Sequence, residues 1–339
     1  MSSDDLQQVG EFELIDRLIA ILRDSGSFDA PEPFVDVGDD AAVLKHIGGY
    51  AIHTTDTMVD GVHFRAGHMP WFDVGWKSIA SNQSDIAAMG GTPTSALVTL
   101  GVPKGTDPVD MDEMYRGMAD ALHKFGGMVV GGDVVTSPVM FVTVAMTGVP
   151  QLDPSGEPIV MTRSAAEPGD LIAVTGPLGG SAGGLTTDLR GIQGVEADAL
   201  RQLHYRPEPR VSDGKILVEL GVRCAMDISD GLVADTQKLA KASRLSARLN
   251  STDVPMPDLL TNLFPGEALE MALTGGEDYE LLFAAPHDMM DRALARLGRR
   301  ARYIGRFVER ENDESMVTVL DVDGNPMRLK RTGWDHLVV

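Results

Sequence analysis

Basic residues are scarce in this chain: 29 Lys and Arg stand against 50 Asp and Glu, a formal charge of −21 over 339 residues. So acidic a surface opposes non-specific attraction to nucleic acid or to an anionic membrane. Neither is expected as a partner, and a protein of this charge that handles anionic phosphates needs cations between. Cysteine is nearly absent: Cys224 is the only one. That excludes an internal disulfide and a cysteine-based zinc cluster, and leads us to expect a buried thiol in a cytoplasmic protein. No apolar run approaches the ~20 residues of a membrane helix. The start, MSSDDLQQVGEFELIDRL, lacks the charged-then-apolar pattern of a signal peptide. No His-x-x-x-His or Cys pair supports zinc, no GxSxG elbow supports a nucleophilic serine, and no sequence period suggests a solenoid.

What is present is a globular composition, 43% hydrophobic and 23% charged, with 37 glycines and length enough for two domains. Phe12, Leu14, Ile15, Leu18, Ile19 and Leu22 have helical spacing. Gly38-Asp39-Asp40 reads as a turn between the half-strands Phe34-Val35 and Ala42-Val43-Leu44. A β-prone run, residues 51–55, ends at Asp56. A helix is expected over residues 73–89, ending at Gly90-Gly91, with Asp85 in its last turns, where a carboxylate opposes the helix dipole unless a cation offsets it. A strand over 94–102 precedes a helix whose start, Asp110 with Glu113 three residues on, looks like a capping box. Met128 to Val135 reads as a strand broken by Gly131-Gly132-Asp133, and another strand spans 141–149. The Pro-rich segment 150–158 is expected to be a linker, which divides the chain into residues 1–150 and 151–339.

In the second half, the strand 170–175 runs into GPLGGSAGGL, a glycine-rich turn that either binds phosphate through free N–H groups or simply joins strand to helix. It matches neither GxxxxGK[ST] nor GxGxxG. A strand over 222–228 leads to Asp227-Ile228-Ser229-Asp230-Gly231 and a helix over 232–242. Those acids suit a helix cap and a metal and phosphate site equally well. Gly275-Gly276-Glu277-Asp278 then precedes a short strand, residues 281–283. Glycines followed by acids thus recur along the chain, with Asp39, Asp40, Asp56, Asp85, Asp133, Asp227 and Asp230 as candidates for one site. Converging acids repel, so such a site requires cations, and oxygen-only ligands with phosphate to complete the shell suit magnesium. A glycosidase pair would leave most of these acids unexplained.

Eight stretches, VGDDAAVL, TTDTMVDGVHF, NQSDIAAMGG, GGD, MTRS, DISDGL, GGEDYEL and GWDH, occur in the order and at about the spacing of the thiamine-monophosphate kinases, within the aminoimidazole ribonucleotide synthetase superfamily. The resemblance runs almost end to end. It implies a mixed α/β (α+β) fold of two domains: an N-terminal domain for ATP, magnesium and dimerisation, whose helix-backed sheet pairs across a homodimer, and a C-terminal α/β domain that completes the site. It implies transfer of the ATP γ-phosphate to thiamine monophosphate, with several Mg2+ ions and direct in-line displacement. Carried over residue by residue, Asp39, Thr54, Thr55, Asp56, Asp85, Asp133, Asp227 and Asp230 resemble the magnesium ligands. Tyr115, Gly132, Asp133, Arg163 and Ser229 resemble positions that contact ATP, and His63, Glu277 and Trp334 those that hold thiamine phosphate. Trp334 stands where Tyr or Phe also occurs, which keeps an aromatic face for a cationic ring. Sibling synthetases of the superfamily, and a non-catalytic metal- or nucleotide-binding protein, are the alternatives. No cysteine falls within residues 1–30 and none follows Cys224, which weighs against the selenophosphate and hydrogenase-maturation siblings.

Overall fold

The computed structural model describes Ala20, Val35 and residues 38–46, 48–310, 316–329 and 331–333. The amphipathic helix expected near residues 12–22 and the aromatic Trp334 lie outside the described residues. Among them the chain forms two main sheets, one from each half of the sequence.

The first sheet has the order β1 (Ala42–His46), β2 (Gly49–Val59), β5 (Phe141–Val149), β3 (Thr92–Val102), β4 (Val129–Thr136). All neighbours are antiparallel except β3 and β4. Parallel neighbours need a crossover, and α2 (Pro108–Phe125) supplies it. Together with α1 (Trp71–Ala88), α2 covers one face of this sheet. Ile52 and Met58 of β2, Val98 and Leu100 of β3, and Val142, Val144 and Met146 of β5 point into that layer and are buried, as a period of two dictates. Each such side chain contributes about 1.5–3 kcal/mol by leaving water. The two helices touch at backbone distance because of two glycines. A Cβ on Gly75 would lie 1.8 Å from the Met114 carbonyl oxygen, and one on Gly117 equally close to that of Phe72. Among the described residues nothing covers the opposite face of the sheet, and β4, at its edge, exposes nearly every residue.

The second sheet runs β13 (Val317–Leu320), β10 (Leu245–Asn250), β12 (Arg302–Glu309), β8 (Leu171–Val174), β11 (Leu281–Ala285), β9 (Cys224–Asp227). Strands β8, β9 and β11 read as nearly continuous apolar runs because both of their faces are covered. Ile172, Val174, Met226 and Leu282 pack with α6 (Leu232–Ser243) on one side. Ala173, Ala225, Leu281 and Phe283 pack on the other with α5 (Val211–Leu220) and α9 (His287–Leu297). Cys224 is buried in the first of these cores. The helices α3 (Gly180–Leu189), α4 (Val195–Tyr205), α7 (Asp258–Leu263) and α8 (Ala268–Thr274) form a satellite around Leu200, Leu260, Phe264 and Ala268.

Two local expectations change. The Pro-rich segment is not an open linker: Gln151–Leu152 (β6) and Pro158–Ile159 (β7) pair across a turn in which Asp153 accepts the N–H groups of Ser155 and Glu157. The cap of α2 is Asp107, which accepts the Val109 N–H at 2.9 Å with Pro108 in the first turn, and not Asp110 with Glu113. Proline at the first helical position favours that earlier start. Asp107→Ala is therefore expected to cost about 1 kcal/mol of stability in urea denaturation, whereas Asp110→Ala stays within about 0.5 kcal/mol.

Candidate active site

A cleft of about 1050 Å3 lies between the two halves, walled by β2 and the segment after it, by the C-terminal part of α1, and by the loops following β9 and α8. Its floor is acidic. Asp40 comes from the turn before β1, Asp85 from the last turn of α1 and Asp227 from the end of β9. One carboxylate oxygen of each lies within 4.8 Å of the others. Burial, and next the charges of Asp56, Asp227 and Asp40, hold the Asp85 carboxyl well above the usual carboxylate range, against a hydrogen bond from Thr54. Burial, and next Asp40, does the same to Asp227, against a 2.7 Å bond from the Ser84 hydroxyl. Oδ2 of Asp40 is buried with no hydrogen-bond partner among the described residues. A buried carboxylate with one orphaned oxygen, beside two more carboxylates, is a donor set for a hard cation.

The family resemblance put Asp39 among the ligands, and the structure places its neighbour Asp40, also a candidate from the sequence, in the three-carboxylate group. Asp39 lies just outside, its two oxygens accepting the backbone N–H groups of Asp40 and Arg163. Burial and the adjacent Asp40 push its carboxyl up to about 7. Arg163 holds the turn in place, its guanidinium donating to Asp40 Oδ1 at 2.7 Å. Thr54, Thr55, Asp56, His63, Ser229, Asp230 and Glu277 also line the cleft. The Thr55 hydroxyl is turned back to donate to the Val144 carbonyl at 3.0 Å. Nδ1 of His63 accepts the Val59 N–H at 3.1 Å. In the neutral ring this leaves Nε2–H as a donor.

Besides Asp39, three of the expected residues do not reach the cleft of their own chain. Tyr115 is on α2, and Gly132 and Asp133 are on the edge strand β4; none is among the lining residues. The register runs Asp56 to Val144, Val144 to Val98 and Val98 to Gly132 across β2, β5, β3 and β4. Three strand spacings separate Gly132 from Asp56 by about 14 Å.

Two acids that the sequence did not single out build the loops. Oδ2 of Asp235, in the first turn of α6, accepts the N–H groups of Ser229, Asp230 and Gly231 at 3.0–3.1 Å and so shapes the turn that presents Asp230. Lys238 bridges Asp230 and Asp235. The signal was present as an acid and a base one helical turn apart just after a Gly. Asp278 accepts the N–H groups of Gly179 at 2.6 Å and Ser181 at 3.0 Å. The glycine-rich turn before α3 therefore has two of its donors taken by Asp278 and a third, Leu178 N–H, by the Pro255 carbonyl, an arrangement that favours the plain strand-to-helix turn. Beside Asp278, the chain enters the left-handed region at Glu277, φ 64°, and Tyr279, φ 51°. It is held there by Glu277 N–H to the Ser229 carbonyl at 2.8 Å and Tyr279 N–H to the Ile228 carbonyl at 3.0 Å. A Cβ on Gly276 would lie 2.3 Å from the Ser229 oxygen, so this contact requires glycine. Such strain, costing on the order of 1–3 kcal/mol, gathers at functional sites.

Residues 38–150 match the model of the AIR synthase related protein, N-terminal domain, and residues 167–318 that of the corresponding C-terminal domain. A thiamine-monophosphate kinase of Bacillus subtilis (strain 168) is 36% identical over 337 residues, covering 96% of this chain and 99% of its own length. One from Escherichia coli (strain K12) is 35% identical over 336 residues, covering 96% and 98%. The solved structure of AaThiL complexed with AMPPCP and TMP superimposes with a TM-score of 0.82 at 32% identity, covering 99% of both chains.

Asp278 gives a pH prediction. Burial raises its carboxyl to about 7, above the value of 3.8 for a free group. The folded chain then keeps a proton that the unfolded chain releases, so unfolding free energy falls as pH rises from about 4 to 7 and levels off above. Urea titrations at several pH values check this, and Asp278→Asn is expected to flatten that part of the profile.

Proposed function

This chain belongs to the thiamine-monophosphate kinase family of AIR synthase related proteins, and on that premise we propose how its acidic cleft performs the reaction. The enzyme converts thiamine monophosphate to thiamine diphosphate with ATP as the phosphoryl donor. In our reading a phosphate oxygen of thiamine monophosphate attacks the γ-phosphorus of ATP in line, the bond to the β,γ-bridging oxygen breaks, and ADP leaves. That attacking oxygen is already ionised at neutral pH, so neither a protein nucleophile nor a strong base is required. The protein's contribution is positioning and electrostatics.

The observation that carries this is the convergence of Asp40, Asp85 and Asp227, with Asp40 Oδ2 unsatisfied. We assign these three, with Asp39, Thr54, Thr55, Asp56 and Asp230, to hold magnesium. Bound there, several ions would screen the phosphates and stabilise the charge of a loose transition state. Arg163 and Ser229 would hold ATP. His63, through its Nε2–H, and Glu277 would orient thiamine monophosphate, with Trp334 offering a ring to the thiazolium. Residues 1–150 are taken as the ATP, magnesium and dimerisation domain and 151–339 as the domain that completes the site. A cytoplasmic setting belongs to the same proposal.

Tyr115, Gly132 and Asp133 fit this reading only if a second copy contributes them. The open face and edge of the first sheet expose Leu97, Val130 and Val134 by 52%, 60% and 64%, an apolar surface suited to another protein face. We therefore propose a homodimer in which β4 of one subunit delivers Asp133 to the cleft of the other.

Asp85→Asn and Asp227→Asn are expected to lower kcat by about 10³-fold or more with the circular dichroism spectrum unchanged. Chelation of divalent cations should abolish turnover reversibly. For the shared site, Asp56→Asn and Asp133→Asn are each inactive, and mixing the two after reversible dissociation should restore activity, because one site of the mixed dimer is intact. Light scattering near twice 36.3 kDa is expected, and a stable monomer with full activity would sink the shared site.

A further inference from the structure

Lys77 is one of the largest fully buried side chains among the described residues, 1% exposed in the middle of α1. None of the roles above uses it. A buried ammonium is costly unless it is paired and hydrogen-bonded, and this one has two neighbours. Glu277 Oε2 is 2.8 Å from Nζ, and His204 Nδ1, on α4, is 3.5 Å away. His204 adds no charge: burial, and next Lys77, push its imidazole down to about 4. An ammonium donates only, so the facing Nδ1 is an acceptor, and the Ser181 hydroxyl stands 2.9 Å from the same atom. The ring is thus fixed from two sides and closes the pocket behind the carboxylate.

Glu277 itself opens to the cleft, 27% exposed. Burial raises its pKa, and Lys77 above all, by its charge and by its hydrogen bond, outweighs that, leaving it below the ordinary value. The groups facing Glu277 are Lys77 from α1, His204 from α4 and His63 from the segment after β2, with Asp278 beside it in the chain. Of these, Lys77 is the one that lies within 2.8 Å of the carboxylate. The backbone at Glu277 is strained, so the side chain has few other ways to lie.

We propose that Lys77 is a positioning residue for the substrate: from beneath the cleft floor it keeps the Glu277 carboxylate ionised and aimed at thiamine monophosphate. The proposal rests on the reading of Glu277 as a substrate contact. It differs from a packing role in one respect, since a packing lysine does not set the charge of a group in the cleft. Removing its ammonium leaves Glu277 half-buried beside a neutral imidazole and an acid, conditions that raise a carboxyl pKa towards neutrality.

The test measures KM for thiamine monophosphate and for ATP from pH 6 to 8.5 in the wild type, Lys77→Met, Glu277→Gln and the double variant. Calorimetric binding of thiamine monophosphate in the presence of magnesium and a non-hydrolysable ATP analogue supplies a readout free of turnover. In the wild type, KM for thiamine monophosphate shows no step from Glu277 over this range. In Lys77→Met it should be raised about tenfold or more at pH 6 and recover towards pH 8.5, with KM for ATP unchanged. On the Glu277→Gln background, Lys77→Met should add little and bring no pH dependence. Where methionine impairs folding, Lys77→Gln, uncharged and still a donor, should give the same pH dependence. Equal, pH-independent losses for both substrates, or full additivity with Glu277→Gln, would overturn the role of Lys77. If Glu277→Gln alone leaves thiamine monophosphate binding unchanged, the assignment of Glu277 fails instead.

Discussion

The molecule is organised around a repulsion. Asp40, Asp85 and Asp227 hold carboxylate oxygens within 4.8 Å of one another. At that separation two like charges cost about 3–4 kcal/mol per pair at an effective dielectric constant near 20. Hydrogen bonds from Thr54 and Ser84 and the Arg163 guanidinium relieve only part of this. Burial first, and then the repulsion that remains, raise the pKa values of Asp85 and Asp227. Two of the acids belong to the first half of the chain and the third to the second, so a cation that neutralises them also ties the halves together. On this reading metal binding, closure of the cleft and recognition of phosphate are one electrostatic event.

Similar glycine-and-acid motifs perform two different jobs. Asp235 and Asp278 spend their oxygens on backbone N–H groups, shaping the turns after β9 and before α3. Asp56 and Asp230 line the cleft. The glycines bring backbones together, as where Gly276 lies against Ser229, and the rigid loops that result hold Glu277 in a conformation a free chain would avoid. The buried Lys77 follows the same logic from below, as a fixed charge that sets the state of a group it can reach only because the loop is rigid.

Much of this was legible beforehand, and for identifiable reasons. Apolar runs gave β3, β5 and β11 to within a few residues, and Asp85 in a helix C-terminus, where a carboxylate is unfavourable, did mark the cleft. Adjacent acids proved harder. Asp39 and Asp40 differ by one residue, and only the bend at the turn decides which faces inward. The glycine-rich stretch before α3 looked available to phosphate because nothing local reveals that Asp278, about a hundred residues on, takes two of its donors. Lys77 was invisible for the same reason, since a lysine on a helix is usually solvated and its burial depends on a loop two hundred residues away. Gly132 and Asp133 fell into a motif with the right residues, but the register of four strands sets them at the far edge of the sheet.

The central claim is that the cleft must be neutralised by more magnesium than arrives with the nucleotide. The most direct measurement is the rate of thiamine diphosphate formation, followed by chromatography, at saturating MgATP and thiamine monophosphate while free magnesium is raised. A rate that keeps climbing after all ATP is complexed, and saturates with an order in free magnesium above zero, is the expected result. A rate already maximal at one magnesium per ATP would contradict the account.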